Sequence, residues 1–464
     1  MILVLPLAIP WVAGVILAAL DGRRRGAGWL AVLSLAAGLV ATVWLAVDVH
    51  RHGPIGSVAG GWPGGVGIRL QADALGVLFA GLSLTVLLFA LVFETLGGVR
   101  SRTFPACILL MATGLTGLFL TGDAFNFYVF FEIAMISAYV LTGYGERSRQ
   151  LRAAMIFAVV NLLGSVLFLI AIAALYHVTG SLDMEEMRDR IPVVQENPAI
   201  ITSAVLFVAF SVKLGLFPFH FWLPAVYTGT RPAVAAILSG ALANIGSYGL
   251  LRFGADILPR ELGLGAPALL ILGSLSIIYG ALQAVSRHVP GEALAYSAIG
   301  QVGYVLIALG LGGPVGYAAA ILVTVVNSLS KTLLFLSANL RGWLVGAAFA
   351  VGALSVVGVP PAVGFLAKVA LLRTSLSTAT TPVQITMVAL IVVGGALAFV
   401  YMFQIYQRAF WLAPENVDAP PSRAARRAVV VLLASLILAL GLWPEPLLSL
   451  SEQAANVLPE RGIP

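Results

Sequence analysis

Three lysines and one glutamate, Lys213, Lys331, Lys368 and Glu132, stand inside stretches that otherwise read as continuous apolar helix. A charge near the centre of a bilayer costs roughly 2.5–3.5 kcal/mol on insertion scales unless it meets a partner or water. Four such groups in one chain point to a route for ions rather than to accidents of packing. Lysine suits relay work because its proton affinity responds readily to desolvation. A carboxylate close to an ammonium supports both charges while burial drives each towards neutrality, so a change in their separation can load or release a proton. Two alternatives stand beside this reading. A Glu–Lys pair can be a static tie between helices, since buried pairs are weak evidence of stability by themselves. Lys368, near the end of its apolar run, can instead snorkel to the membrane surface.

The elements that would carry these groups are membrane helices. The chain of 464 residues is 60% hydrophobic and 10% charged, against about 25% charged in a soluble domain. No single aqueous core accommodates that imbalance. Windows of about 20 apolar residues give about 14 spans, near 1–19, 27–48, 75–96, 104–120, 124–143, 151–177, 199–223, 231–253, 263–285, 291–311, 314–340, 344–376, 382–410 and 426–450. The first 20 residues lack the basic leading region of a signal peptide and read as the first crossing.

Arginine sets the expected orientation. One alternate set of loops holds Arg23, Arg24 and Arg25; Arg100 and Arg102; Arg147, Arg149 and Arg152; Arg231; Arg287; Arg341; and Arg408, Arg423, Arg426 and Arg427. The positive-inside rule places this set in the cytoplasm and both termini outside. The formal net charge of +6 is thus an anchoring pattern and not a nucleic-acid surface. The lone Cys107 excludes an internal disulfide and any multi-cysteine metal site. The five histidines show no ligand spacing, and the glycine-rich runs lack a Walker or Rossmann context. No cofactor, metal or intrinsic redox or hydrolytic chemistry is expected; the surrounding partner is the lipid bilayer. Asp73 and Asp123 read as helix caps, segment 181–190 as a surface segment or plain loop, and the GGWPGG run in loop 49–74 as a small external turn or hairpin.

Two spans look broken. SVKLGLFPFHFWLP carries Lys213, Gly215, Pro218 and Pro224, and VVGVPPAVGFLAK carries Gly358, Pro360, Pro361, Gly364 and Lys368. Proline removes a donor and clashes with the preceding turn, and the freed carbonyls need a cavity, water or a protein partner. Ordinary kinks would leave the same prolines. An interrupted helix with a lysine in each half is, however, the outward sign of a transporter repeat.

On NFYVFFEIAMISAYVL (126–141), KLGLFPFHFWLPAVY (213–227), LAYSAIGQVGYV (294–305), KTLLFL (331–336) and PPAVGFLAK (360–368), the chain resembles the antiporter-like subunits shared by respiratory complex I, membrane-bound hydrogenases and multisubunit Mrp sodium/proton antiporters. The likeness covers roughly 65–410. It implies an all-α polytopic fold of 14 helices with two inverted five-helix repeats, each holding a discontinuous helix. Within one membrane domain (1–464) the division is then N-terminal helices (1–103), first repeat (104–253), second repeat (263–410) and C-terminal helix and tail (426–464). The resemblance further implies that Glu132 pairs with Lys213, that Lys331 is the central lysine of the second half, and that Lys368 is its terminal one. His220 either links the cytoplasmic side to Lys213 or makes a helix-end hydrogen bond.

The chain departs from the family pattern in places. Asn244 stands where relatives place a lysine, Asn327 where they place a histidine, and Gly291 and Glu292 where they favour a basic pair. Asparagine hydrogen-bonds but does not titrate. The link between the halves would then run through water and hydroxyls such as Ser239, Ser247, Tyr248, Ser328 and Ser330, or transport is weakened. The implied function is proton translocation within a cell-membrane sodium or potassium/proton antiporter, beside other subunits. The alternatives are a subunit of a redox-driven complex and a non-conducting scaffold.

Overall fold

The computed structural model describes residues 2–62, 67–378, 380–412 and 421–459. Among them, twelve helices are long and apolar enough to cross a membrane. Two shorter apolar helices, Phe104–Phe119 and Trp343–Val357, bring the crossings to the expected fourteen. In lipid every backbone polar group must be satisfied within the segment, so such runs have no alternative to helix.

Three crossings lead: α1 (Leu5–Ala19), α2 (Arg25–His52) and α3 (Ala74–Gly97). Five follow as α4 (Phe104–Phe119), α5 (Ala124–Thr142), α6 (Ser148–Thr179), the broken pair α8 (Glu196–Leu214) with α9 (Leu223–Gly229), and α10 (Pro232–Ile257); a short surface helix, α7 (Met184–Arg190), precedes the broken pair. After the short α11 (Pro259–Leu264), five more follow: α12 (Ala266–Ser286), α13 (Pro290–Leu311), α14 (Gly313–Ser337), the broken pair α15 (Trp343–Val357) with α16 (Gly364–Thr378), and α17 (Thr381–Trp411). In both sets the fourth crossing is the broken one. Because five is odd, the second set starts from the opposite face, and the two repeats are inverted. The last crossing is α18 (Pro421–Leu442).

The C-terminal end differs from the sequence reading, whereas the first long loop takes one of the two shapes expected of it. The final span stops at Leu442, and a separate helix, α19 (Glu445–Ala455), packs on α14 and α3. Loop 49–74 folds as an antiparallel hairpin, β1 (Ile55–Val58) on β2 (Arg69–Ala72); positions 63–65 of its GGWPGG run, and 66 after them, lie outside the described residues. The face holding the hairpin, α7 and α19 is called the terminal face below, and the opposite one the arginine face.

The expected caps are present. Asp73 accepts from the Gly76 amide at 2.8 Å and Asp123 from the Asn126 amide at 2.6 Å. A third, Asp183, caps α7.

Candidate functional site: a buried lysine file between two broken helices

The two breaks are built alike. Gly215 and Gly358 both take left-handed φ, +64° and +82°. Each donates its amide to carbonyls of the preceding turn, Gly215 to Ser211 and Val212, Gly358 to Leu354 and Ser355. The next residue repeats the bond, Leu216 to Ser211 and Val359 to Leu354. Glycine adopts this conformation without a Cβ penalty. Cis peptide bonds follow at Phe217–Pro218 and Pro360–Pro361. The backbone freed at the first break finds partners: the Trp222 indole donates to Val212 O at 3.0 Å, and the Phe217 amide donates to Ser276 Oγ at 3.1 Å. At the second, Gly364 lies so close to the Ser355 carbonyl that a Cβ would overlap its oxygen. Only glycine fits there.

All three lysines are inside. Lys213, Lys331 and Lys368 are 7%, 0% and 9% exposed. Lys213, on the last turn of α8, has no hydrogen-bond partner among the described residues and lies 4.1 Å over the Phe131 ring, a cation–π contact. Glu132 is within electrostatic reach of Lys213 but is not in contact with it; its carboxylate accepts instead from the Ser165 hydroxyl of α6. The expected pair is therefore open, with Phe131 beneath the ammonium and Ser165 holding the carboxylate.

Lys331, on α14, donates to Ser297 Oγ at 2.5 Å and to Leu294 O at 3.4 Å. Lys368, on α16, folds back over the second break. A Cβ on Gly358 would overlap its Cδ, and one on Gly395 would meet its Nζ at 2.7 Å. Its ammonium lies 5.4 Å over the Tyr304 ring and has no hydrogen-bond partner among the described residues. That inward course is the opposite of snorkelling.

Between Lys213 and Lys331 lies Asn244, midway along α10. Its amide donates to Ser83 Oγ at 3.1 Å and to Gly240 O at 2.9 Å, and its Oδ1 accepts from Ser328 at 2.7 Å. The helix around it is wound as π-helix at Leu238–Leu242 and Leu250–Ile257, a distortion common at functional sites. Ser330 donates to Ser355 Oγ at 2.8 Å, beside the second break. Asn327 Oδ1 is buried without a hydrogen-bond partner among the described residues. Ser239 is turned back onto the Ala235 carbonyl of its own helix, at 2.8 Å. Ser247 is buried on α10. His220 sits in the first break, its ring 4.4 Å from that of Tyr279, with Nδ1 unpartnered among the described residues.

Tyr248 belongs elsewhere. Its hydroxyl donates to Phe119 O at 3.1 Å and accepts from Arg252 Nε at 3.1 Å. Arg252 in turn pairs with Asp73 at 2.5 Å and Asp256 at 2.9 Å, and Arg188 of α7 reaches Asp256 at 3.1 Å. This charged cluster lies at the terminal face. Below it, Phe79, Phe119, Phe127, Phe168, Phe210, Phe253 and Tyr248 pack with ring centroids 4.9–6.5 Å apart. The terminal-face side of Lys213 is thus filled with rings, whereas the arginine-face side opens on the broken helix and His220.

Sequence reasoning missed Ser165, Ser297, Gly395 and Tyr401, whose hydroxyl shares a hydrogen bond of 2.9 Å with Ser297. Ser165 and Ser297 look like ordinary small residues of membrane helices, and nothing in a linear pattern says what faces them.

A polytopic helical fold with two inverted repeats and lysines at each broken helix defines an antiporter-like membrane protein. The profile of the family described as NADH:quinone oxidoreductase/Mrp antiporter, TM, matches residues 121–398, and the chain belongs to that family. It is 31% identical to the D-type subunit of the Na(+)/H(+) antiporter of Alkalihalophilus pseudofirmus, over 98% of this chain and 96% of the relative. It is 30% identical to the N-type subunit of the NADH-quinone oxidoreductase of Desulforudis audaxviator, over 100% and 95%. Among solved structures, a chain of the Mrp complex from a Dietzia species superposes with a TM-score of 0.89 at 26% identity, over 98% of this chain and 97% of that one. A chain of respiratory complex I from Thermus thermophilus gives 0.78 at 26%, over 96% and 98%.

Proposed function

We propose that this protein is a proton-translocating subunit of a multisubunit monovalent cation (sodium)/proton antiporter of the cell membrane. The observation that carries the reading is the burial of three lysine ammoniums in an apolar interior with no ion pair to any of them among the described residues. Such groups are costly, and inside a membrane they mark ion pathways. The cation/proton assignment is supported by the likeness to an Na(+)/H(+) antiporter subunit, and membership of a complex by the likeness to a chain of an Mrp assembly. In this reading a partner subunit carries the sodium site.

In this reading the arginine face is cytoplasmic and both termini lie outside. Protons are taken up beside His220, pass to Lys213 with Glu132, cross over Asn244 and Ser328 to Lys331, and leave past Lys368 at the terminal face. Ser239, Ser247, Asn327 and Ser330 line that crossing. The ring-filled zone between Lys213 and the terminal face supports a sideways course, because it bars direct exit from the first repeat. Each elementary charge exchanges about 2.3 kcal/mol per 100 mV crossed.

Likeness to a subunit of an NADH-quinone oxidoreductase favours a second reading, a pumping subunit of a redox-driven complex with the same lysine file. Co-encoded small antiporter subunits would support the first reading, and quinone or hydrogenase subunits the second. The direct test is co-expression with the genomic neighbours in inverted vesicles, following pH on addition of sodium or potassium. Cation-dependent proton movement lost in Lys213→Ala and Glu132→Ala is the expected result. Exchange untouched by either change would remove the chain from the proton route and leave a scaffold.

A further inference from the structure

The geometry points to Ser297 and Tyr401 as a positioning pair that lets Lys331 change charge in a dry interior. This rests on the reading that Lys331 carries a proton. Lys331 is 0% exposed, and its acceptors among the described residues are Ser297 Oγ and, at a longer 3.4 Å, the Leu294 carbonyl. Ser297, on α13, shares a hydrogen bond of 2.9 Å with the hydroxyl of Tyr401 on α17. Both partners are themselves buried. The three side chains thus form one continuous file, Nζ to Oγ to Oη, across three helices of the second repeat.

A hydroxyl has one proton and two acceptor lone pairs. When Lys331 is an ammonium it donates to Ser297, whose own proton turns to Tyr401. When Lys331 is a neutral amine its lone pair accepts from Ser297, and Tyr401 donates to the side of Oγ that the serine proton has left. The Lys331–Ser297–Tyr401 file is therefore kept in both charge states with no heavy atom moving. A carboxylate at the same place accepts only, and would favour the charged form throughout. Tyr401 touches Ser297 and not the ammonium, so it acts through the serine.

The test is proton transport by the assembled complex in inverted vesicles, with rates normalised to membrane abundance. A hydrogen bond to a charged group contributes about 1.5–3 kcal/mol, so Ser297→Ala should slow transport about tenfold or more. Ser297→Thr, which keeps the hydroxyl, should recover most of the rate. Tyr401→Phe, which removes one oxygen, should slow it about three- to tenfold, and the double variant should be no slower than Ser297→Ala, because coupled groups are not additive. Intact transport in Tyr401→Phe, or losses that multiply in the double variant, overturns the pair. Lys331→Ala separates the two levels: if it transports normally, the proton reading of Lys331 falls. If it is inactive while Ser297→Ala and Tyr401→Phe transport at the intact rate, only the positioning pair falls.

Discussion

Ser328 of α14 donates its hydroxyl to Asn244 Oδ1 of α10 at 2.7 Å, joining the last crossing of the first repeat to the middle of the second. Asn244 also spends its amide protons on Ser83 and Gly240 O. Where relatives are expected to hold a lysine, this chain holds a fully engaged neutral bridge. Ser328→Ala leaves Oδ1 buried without that donor, which costs about 1–3 kcal/mol. Thermal unfolding in detergent should show the loss, and Asn244→Ala combined with Ser328→Ala should cost less than the sum of the singles. Additive losses would mean the bond does not couple the repeats.

Lys213 should behave in the opposite way. Its side-chain nitrogen is buried with no hydrogen-bond partner among the described residues, and burying a polar group that lacks one opposes folding. Replacing it by methionine, of similar length, removes that burden. Lys213→Met should leave unfolding temperature unchanged or raised while transport is lost. A marked fall in stability would show that the Glu132–Lys213 contact, open here, is closed in the resting protein.

The charged cluster at the terminal face is structural, and its arithmetic differs from that of a surface pair. Arg252 is 8% exposed and its partners Asp73 and Asp256 are 2% and 6% exposed. Removing one member of a buried network costs about 3–5 kcal/mol because the others stay buried and unpaired. Arg252→Met should therefore depress stability strongly. Arg260→Ala, which breaks the exposed pair with Glu196, should cost about 1 kcal/mol or less. Equal effects of the two changes would contradict the burial argument.

Much of this architecture was legible in the chain. Fourteen apolar runs have no physical alternative to fourteen helices in lipid, and Gly and Pro beside Lys213 and before Lys368 marked both breaks. The lysines were visible because charge inside an apolar run is costly. What was not legible was pairing between distant helices. Nothing adjacent to Glu132 says that its carboxylate turns to Ser165, and nothing in SGALANIGSYGLLR says that Tyr248 faces Arg252 while Asn244 faces Ser328. Tyr248 and Asn244 lie only one turn apart on α10, on the regular α-helical turn Asn244–Gly249 between the two π-helical stretches, so they share a face and differ in depth. A linear pattern does not carry what each depth holds.

Gly395 of α17 offers the narrowest test of the exit side. A Cβ there would lie 2.7 Å from Lys368 Nζ, well inside contact distance, yet what it meets is the movable end of a long side chain and not backbone. Gly395→Ala should therefore be tolerated by the fold, since alanine also favours helix over glycine by about 1 kcal/mol. The ammonium, however, has to leave its place over Tyr304. Because a displacement of about 1 Å can cost a hundredfold where geometry governs a reaction, proton transport should fall sharply while unfolding temperature holds or rises. Tyr304→Leu, which removes the ring beneath the ammonium, should lower transport in the same assay. If Gly395→Ala transports at the intact rate, the position of Lys368 over Tyr304 is not the one that matters for release.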